Sequence, residues 1–214
     1  MRFSKPFFAA VAAIWIGASA AMAARVDFKD PRRALGREGD VRVDAELAQD
    51  TISQTSPINI TYQIENLSQA PVAVADKIFD TNFDADSRTI TFSVGSEVPP
   101  GPNMPHLVVI RPGEKRVLSG GALVHVVTPN IRTPWTAIPK YVQIQVTLLR
   151  DVTPFQKLIE QQSKTAVPVP LPNDMFDRWV ESSESVLLNT IPVYWKNENR
   201  RGTAESDQPL SGTY

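Results

Sequence analysis

Apolar and polar residues alternate most cleanly between Ile58 and Glu65. Ile58, Ile60, Tyr62 and Ile64 fall on one side of an extended chain, and Asn59, Thr61, Gln63 and Glu65 fall on the other. A period of two gives a strand one dry face and one wet face. The run therefore predicts a β-strand, opened by Pro57 and closed by the turn formers between Asn66 and Pro71. The same alternation predicts strands at Val41–Leu47, at Thr89–Val94 and at Tyr141–Leu148. Shorter apolar runs at Val72–Asp76 and His106–Ile110 add two more, and Arg111 to Glu114, with proline second, reads as a turn. Lys115 to Val127 predicts a long strand. Its Gly120–Gly121 pair marks a bulge or bend that would let it serve two sheets.

The period changes after Leu148. Phe155 to Gln162 has helical composition, and Ala166 to Pro172 is a proline-rich extended connector. Asp174 is placed to cap a short helix running through Trp179, with Met175, Phe176 and Trp179 on its buried side. Val186 to Trp195 predicts the last strand, with Pro192 at an edge or bulge because it cannot donate to a ladder. Residues 24–40 mix Arg, Lys, Asp and Gly with little periodicity and read as a flexible arm, and residues 197–214 read as a disordered tail.

Seven to eight strands punctuated by turns, with helices confined to an insertion at 151–185 before the last strand, predict an all-β antiparallel sandwich over 41–196. The chain resembles bacterial immunoglobulin-like domains in the I-x-I-x-Y-x-I-x-N-x-S run from Ile58 to Ser68, in the turn at Pro112–Glu114 and in the V-x-I-x-V-x-L run from Val142 to Leu148. That resemblance implies an immunoglobulin-like fold and carries no particular activity, since the fold hosts many functions.

The first residues stand apart from this pattern. Arg2 and Lys5 precede an uncharged apolar run from Phe7 to Ala20, and Ala21, Met22 and Ala23 offer small residues at the spacing a signal peptidase reads. The expectation is a signal peptide over 1–23 and a periplasmic or secreted protein. The apolar run is about 14 residues, short of the ~20 a spanning helix needs, so no membrane span is expected after cleavage. There is no cysteine, which removes disulfides, thiol nucleophiles and thiolate metal sites. Lys and Arg number 22 against 23 Asp and Glu, with no long basic run, so nucleic acid is not an expected partner.

Candidate chemistry is sparse. Asp80, Asn82, Asp84 and Asp86 place oxygens at alternate positions, as in calcium loops, but Ala85 stands where the sharp turn needs glycine, and Thr91 where a bidentate Glu closes the shell. The same residues also read as a solvated acidic hairpin loop. Met104, His106 and His125 could offer soft ligands to copper(I), in fewer numbers than copper chaperones use, and each histidine also reads as an ordinary strand residue. No Gly-x-Ser-x-Gly accompanies them.

If each strand reverses the last, the loops 66–71, 95–105 and 128–139 share one end of the sandwich. That end carries Met104, Ile131 and Trp135 as a proline-stiffened binding rim, with Trp135 alternatively folding back over the core. The function expected is a non-catalytic binding or assembly module that meets a protein partner in the cell envelope through loops or an edge strand, the last strand with Pro192 being the candidate edge, without a cofactor. A secreted protease inhibitor and a carboxylate-dependent hydrolase are the alternatives.

Overall fold

The computed structural model describes residues 30–124 and 138–196. It is mostly β, with antiparallel sheets and two short helices. One sheet has the order β1-β2-β4-β9, built from β1 (Arg33–Glu38), β2 (Val41–Leu47), β4 (Ile58–Asn66) and β9 (Lys115–Ala122). The other follows β6-β7-β10-β5-β8, from β5 (Val72–Ala75), β6 (Phe79–Asp84), β7 (Thr89–Val94), β8 (Leu107–Ile110) and β10 (Tyr141–Leu149). β11 (Ser183–Leu187) and β12 (Ile191–Pro192) line the far side of β10, while β3 (Thr51–Ile52) and β13 (Tyr194–Trp195) form a small parallel pair.

The alternation read from the sequence points where it should. Ile58, Ile60, Tyr62 and Ile64 are buried in one cluster with Val142, Ile144, Val146 and Leu148 from the opposite sheet. Each such side chain contributes roughly 1.5–3 kcal/mol by leaving water, which sets the register firmly. Tyr62 sits in this layer with its hydroxyl lacking a partner among the described residues. Burial first, and the charge of Asp76 second, push its phenol pKa upward. Tyr62→Phe removes an unpaired buried oxygen and keeps the ring, so it should raise stability by about 1 kcal/mol in urea denaturation. A loss of similar size would show that the hydroxyl is satisfied.

The structure departs from the sequence pattern at several places. The segment read as a flexible arm forms β1 from Arg33 onward, paired with β2 along its length. Its inward residues are Ala34 and Gly36, too small to announce a dry face. A side chain at Gly36 would strike the Leu187 carbonyl of the facing sheet. The acidic stretch is not a loop but β6, with Thr81 turned inward, and the hairpin turn follows Asp84. The glycine pair makes no bulge, since Gly120 and Gly121 hold regular register opposite Ile60 and Asn59. Gly120 instead leaves space for the Phe79 ring, which crosses from β6 and would overlap any side chain there. Phe79 packs at a tilt against Phe92, with ring centroids 6.0 Å apart, carrying the core out to this side.

The last expected strand is divided into β11, β12 and β13, with Pro192 opposite Tyr141 in β12. Strand direction does not alternate throughout either. β7 runs parallel to β10, and β10 and β8 are each antiparallel to β5, so β7 and β8 run the same way. The 95–106 excursion therefore does not reverse the chain. Gly95, at φ +78°, turns the chain out of β7, and a side chain there would meet the Thr147 carbonyl. The turn at 111–114 joins the 66–71 connection instead: Gly113 N–H donates to the Asn66 carbonyl at 2.7 Å, and Asn66 N–H donates to the Glu114 carbonyl at 3.0 Å.

The insertion covers the outer face of the second sheet. Its helices are α1 (Gln156–Lys164) and α2 (Phe176–Ser182), the latter entered through a 3₁₀ turn at Asn173–Met175. Asp174 lies within that turn and does not cap it; Trp179 is buried, whereas Phe176 is 41% exposed. Trp179, Phe155, Leu171 and Met104 form a second cluster on Ala73, Ala75, Leu107 and Leu149. The proline-rich connector is extended, as expected, and zips against the 102–104 segment: Met104 N–H donates to Val169 and Leu171 N–H to Pro102, both at 2.8 Å.

Where the chain enters β1, Asp30 accepts hydrogen bonds from the Arg32 guanidinium at 2.8 and 3.1 Å and from its backbone N–H at 2.9 Å. The guanidinium bond foremost, then the backbone one, hold the carboxyl down to about 2 from 3.8. A depressed carboxylate stabilises fully above its unfolded pKa, and that contribution disappears as pH falls from about 3.8 through about 2. An NMR titration of the Asp30 carboxyl carbon should show the low midpoint, and Arg32→Ala should return it toward 3.8.

Candidate functional site

An exposed sheet edge is a row of N–H and C=O groups that another chain can pair with. β1 is tied to the opposite sheet: Leu35 N–H donates to Asn189 Oδ1 at 2.6 Å, and Asn189 N–H returns a bond to the Leu35 carbonyl at 3.1 Å. That contact also shelters β11, whose Leu187 carbonyl lies against Gly36. β6 is shorter than β9, carries acids at Asp80 and Asp84, and has one outward donor already taken, although its Phe79 and Phe83 backbone groups have no partner among the described residues. Thr81 N–H donates to Asp80 Oδ1 at 2.8 Å, and the Thr81 hydroxyl donates to the Leu123 carbonyl at 2.8 Å. The short β8 lies beside α1, whose Gln162 side chain accepts from Leu107 N–H at Oε1 and donates from Nε2 to the Met104 and Pro105 carbonyls.

β9 is different. Ala48 N–H donates to the Asn59 carbonyl, so Asn59 turns its backbone groups toward β2. Ile58, Ile60, Tyr62 and Ile64 consequently turn theirs toward β9, where they meet Ala122, Gly120, Leu118 and Arg116. The N–H and C=O groups of Lys115, Val117, Ser119 and Gly121 point away from the sheet and have no hydrogen-bond partner among the described residues. No proline interrupts the strand, and from Val117 to Ala122 it carries no charge. Val117 is 60% exposed, and Leu118 is half-buried on the inner side. This is the longest open edge among the described residues.

The residues singled out from sequence are dispersed. Met104 is 4% exposed inside the second cluster, so it is no part of a rim. Loop 95–105 packs down through its zipper with the connector, a pairing that no local pattern announces. Ile131, Trp135 and His125 lie outside the described residues. His106 is exposed, with Nδ1 2.6 Å from Asp76 Oδ1. Asp80, Asn82 and Asp84 project from the solvent side of β6. Asp80 turns Oδ1 back on its own strand, accepting from Thr81 N–H at 2.8 Å.

Asp84 is also committed to the turn, accepting from Asp86 N–H at 3.0 Å and from the Ser87 hydroxyl at 2.6 Å. The Ser87 bond first, and the Asp86 bond next, lower its pKa. Among the described residues no group of three or more His, Asp or Glu is arranged to hold a metal. Sequence reasoning placed the candidate edge at the last strand, by Pro192, and missed β9, whose uncharged V-L-S-G-G-A run does not by itself mark an edge. Comparisons of the chain with protein-family models, with curated proteins and with solved structures found no match.

Proposed function

We propose that this chain is an exported, non-catalytic binding and assembly module of the cell envelope, built on an immunoglobulin-like sandwich and acting by strand addition at β9. The observation that carries the reading is the contrast among edges: β1 and β8 are tied or overlaid and β6 is shorter and acidic, while β9 turns Lys115, Val117, Ser119 and Gly121 outward with no partner among the described residues. Export is supported by Arg2, Lys5, the apolar run from Phe7 to Ala20 and the Ala21-Met22-Ala23 site. The fold type is supported by the cross-sheet order. Consecutive strands β4 and β5 lie in opposite sheets, as do β9 and β10, and β10 pairs with both β5 and β11. The parallel pairing of β7 with β10 is an addition to that plan.

Ser119→Pro tests the edge. Its N–H points outward, so proline removes a donor to the partner and leaves the β4 ladder intact. Pull-down from envelope extracts should lose its specific partner by at least about tenfold with this variant at near-unchanged melting temperature. Equal recovery would count against β9 as the binding edge.

A further inference from the structure

We infer that the strand added to β9 is β9 of a second copy of this chain, antiparallel about a twofold axis at Leu118; this rests on the edge reading above. The first support is self-complementarity. Lys115 and Arg116 stand at one end of the strand and Gly120, Gly121 and Ala122 at the other. Parallel pairing would set the bases of two copies side by side, whereas antiparallel pairing lays each basic end beside a small, uncharged one. Closed twofold pairing is also the commonest way for a single chain to satisfy such a surface.

The second support is register. Outward groups must face outward groups, so Lys115, Val117, Ser119 and Gly121 have to meet one another. An axis at Leu118 sets Val117 against the partner's Ser119 and Lys115 against the partner's Gly121, using every open position. An axis at Val117 would leave Gly121 unpaired. An axis at Ser119 would draw on the Leu123 carbonyl, which already accepts from the Thr81 hydroxyl. With the axis at Leu118, the two half-buried Leu118 side chains meet across a non-hydrogen-bonded pair, roughly 4.5 Å between Cα atoms, and close the seam between the copies. The first sheet then runs unbroken through both molecules.

The chain contains no cysteine, so Leu118→Cys introduces a lone thiol. Mild oxidation of this variant should yield a disulfide-linked dimer, because the paired Cα spacing suits a disulfide. Val117→Cys should stay unlinked, since the two copies of that residue are diagonal and out of reach. Sedimentation of the unaltered protein should show a dimer that Ser119→Pro reduces to less than about a tenth of molecules at equal concentration. The Val117 and Ser119 amides should become protected from exchange as concentration rises. A monomer at every concentration with those amides open, or linking through Val117→Cys and not Leu118→Cys, would overturn the inference. If Leu118→Cys lowers the melting temperature, the sedimentation comparison decides alone. If the protein is monomeric and Ser119→Pro still abolishes envelope pull-down, the edge reading stands and the second copy falls; if Ser119→Pro changes neither measurement, both fall.

Discussion

Replacing Trp179 with alanine should lower the unfolding free energy by about 3–5 kcal/mol. The indole is 1% exposed and meets the Phe155 ring edge-on at 5.6 Å. Its Nε1 donates to the Ser96 carbonyl at 3.1 Å, tying the insertion to the excursion after β7. Alanine leaves a cavity beneath α2, strands a carbonyl and frees Phe155 of its neighbour. Trp179→Phe should recover much of the packing but not the hydrogen bond, which places it between the two. Chemical denaturation followed by far-UV circular dichroism checks the order; a loss below about 1 kcal/mol for alanine would mean that the insertion does not rest on this residue.

Asn66→Ala should cost about 2–4 kcal/mol. This side chain is fully buried at the end of β4 and uses its whole hydrogen-bonding capacity. Its amide donates to the Ala70 carbonyl at 2.8 Å and to the Ile110 carbonyl at 3.0 Å, while its oxygen accepts from Ser68 N–H at 3.0 Å and from the Ser68 hydroxyl at 2.6 Å. One residue thus shapes the 66–71 connection and fastens it to β8 of the other sheet. Alanine leaves buried donors and acceptors unpaired, the expensive outcome for a polar group. Asn66→Asp should be nearly as damaging, because a carboxylate cannot donate to the two carbonyls. Equilibrium urea unfolding of both variants checks this, and a stable Asp variant would contradict it.

Much of the sheet content was legible because its inward residues are large and its outward residues polar. Ile58 to Ile64 and Val142 to Leu148 are the clearest cases, and both face the common layer. β1 was illegible for the opposite reason: Ala34 and Gly36 are small because the other sheet lies so close. β6 was hidden by its acids, since Asp80, Asn82 and Asp84 fit a ligand spacing as readily as the wet side of a strand. Register between distant strands and the equal sense of β7 and β8 depend on contacts that no local period encodes. The candidate edge shares that difficulty. Nothing within Lys115–Ala122 states that the strand comes last in its sheet; that follows only from where β1, β2 and β4 settle.

The second sheet is greasy on both sides near Leu148 and Leu149, one facing the inner layer and the next facing the helices. It acts as a bulkhead between two dry compartments. The helices shield Ala73, Ala75 and Leu149 of the outer compartment, while the inner one is closed by the first sheet. The strands that hold β9 in place therefore pack in a layer separate from the one the helices cover.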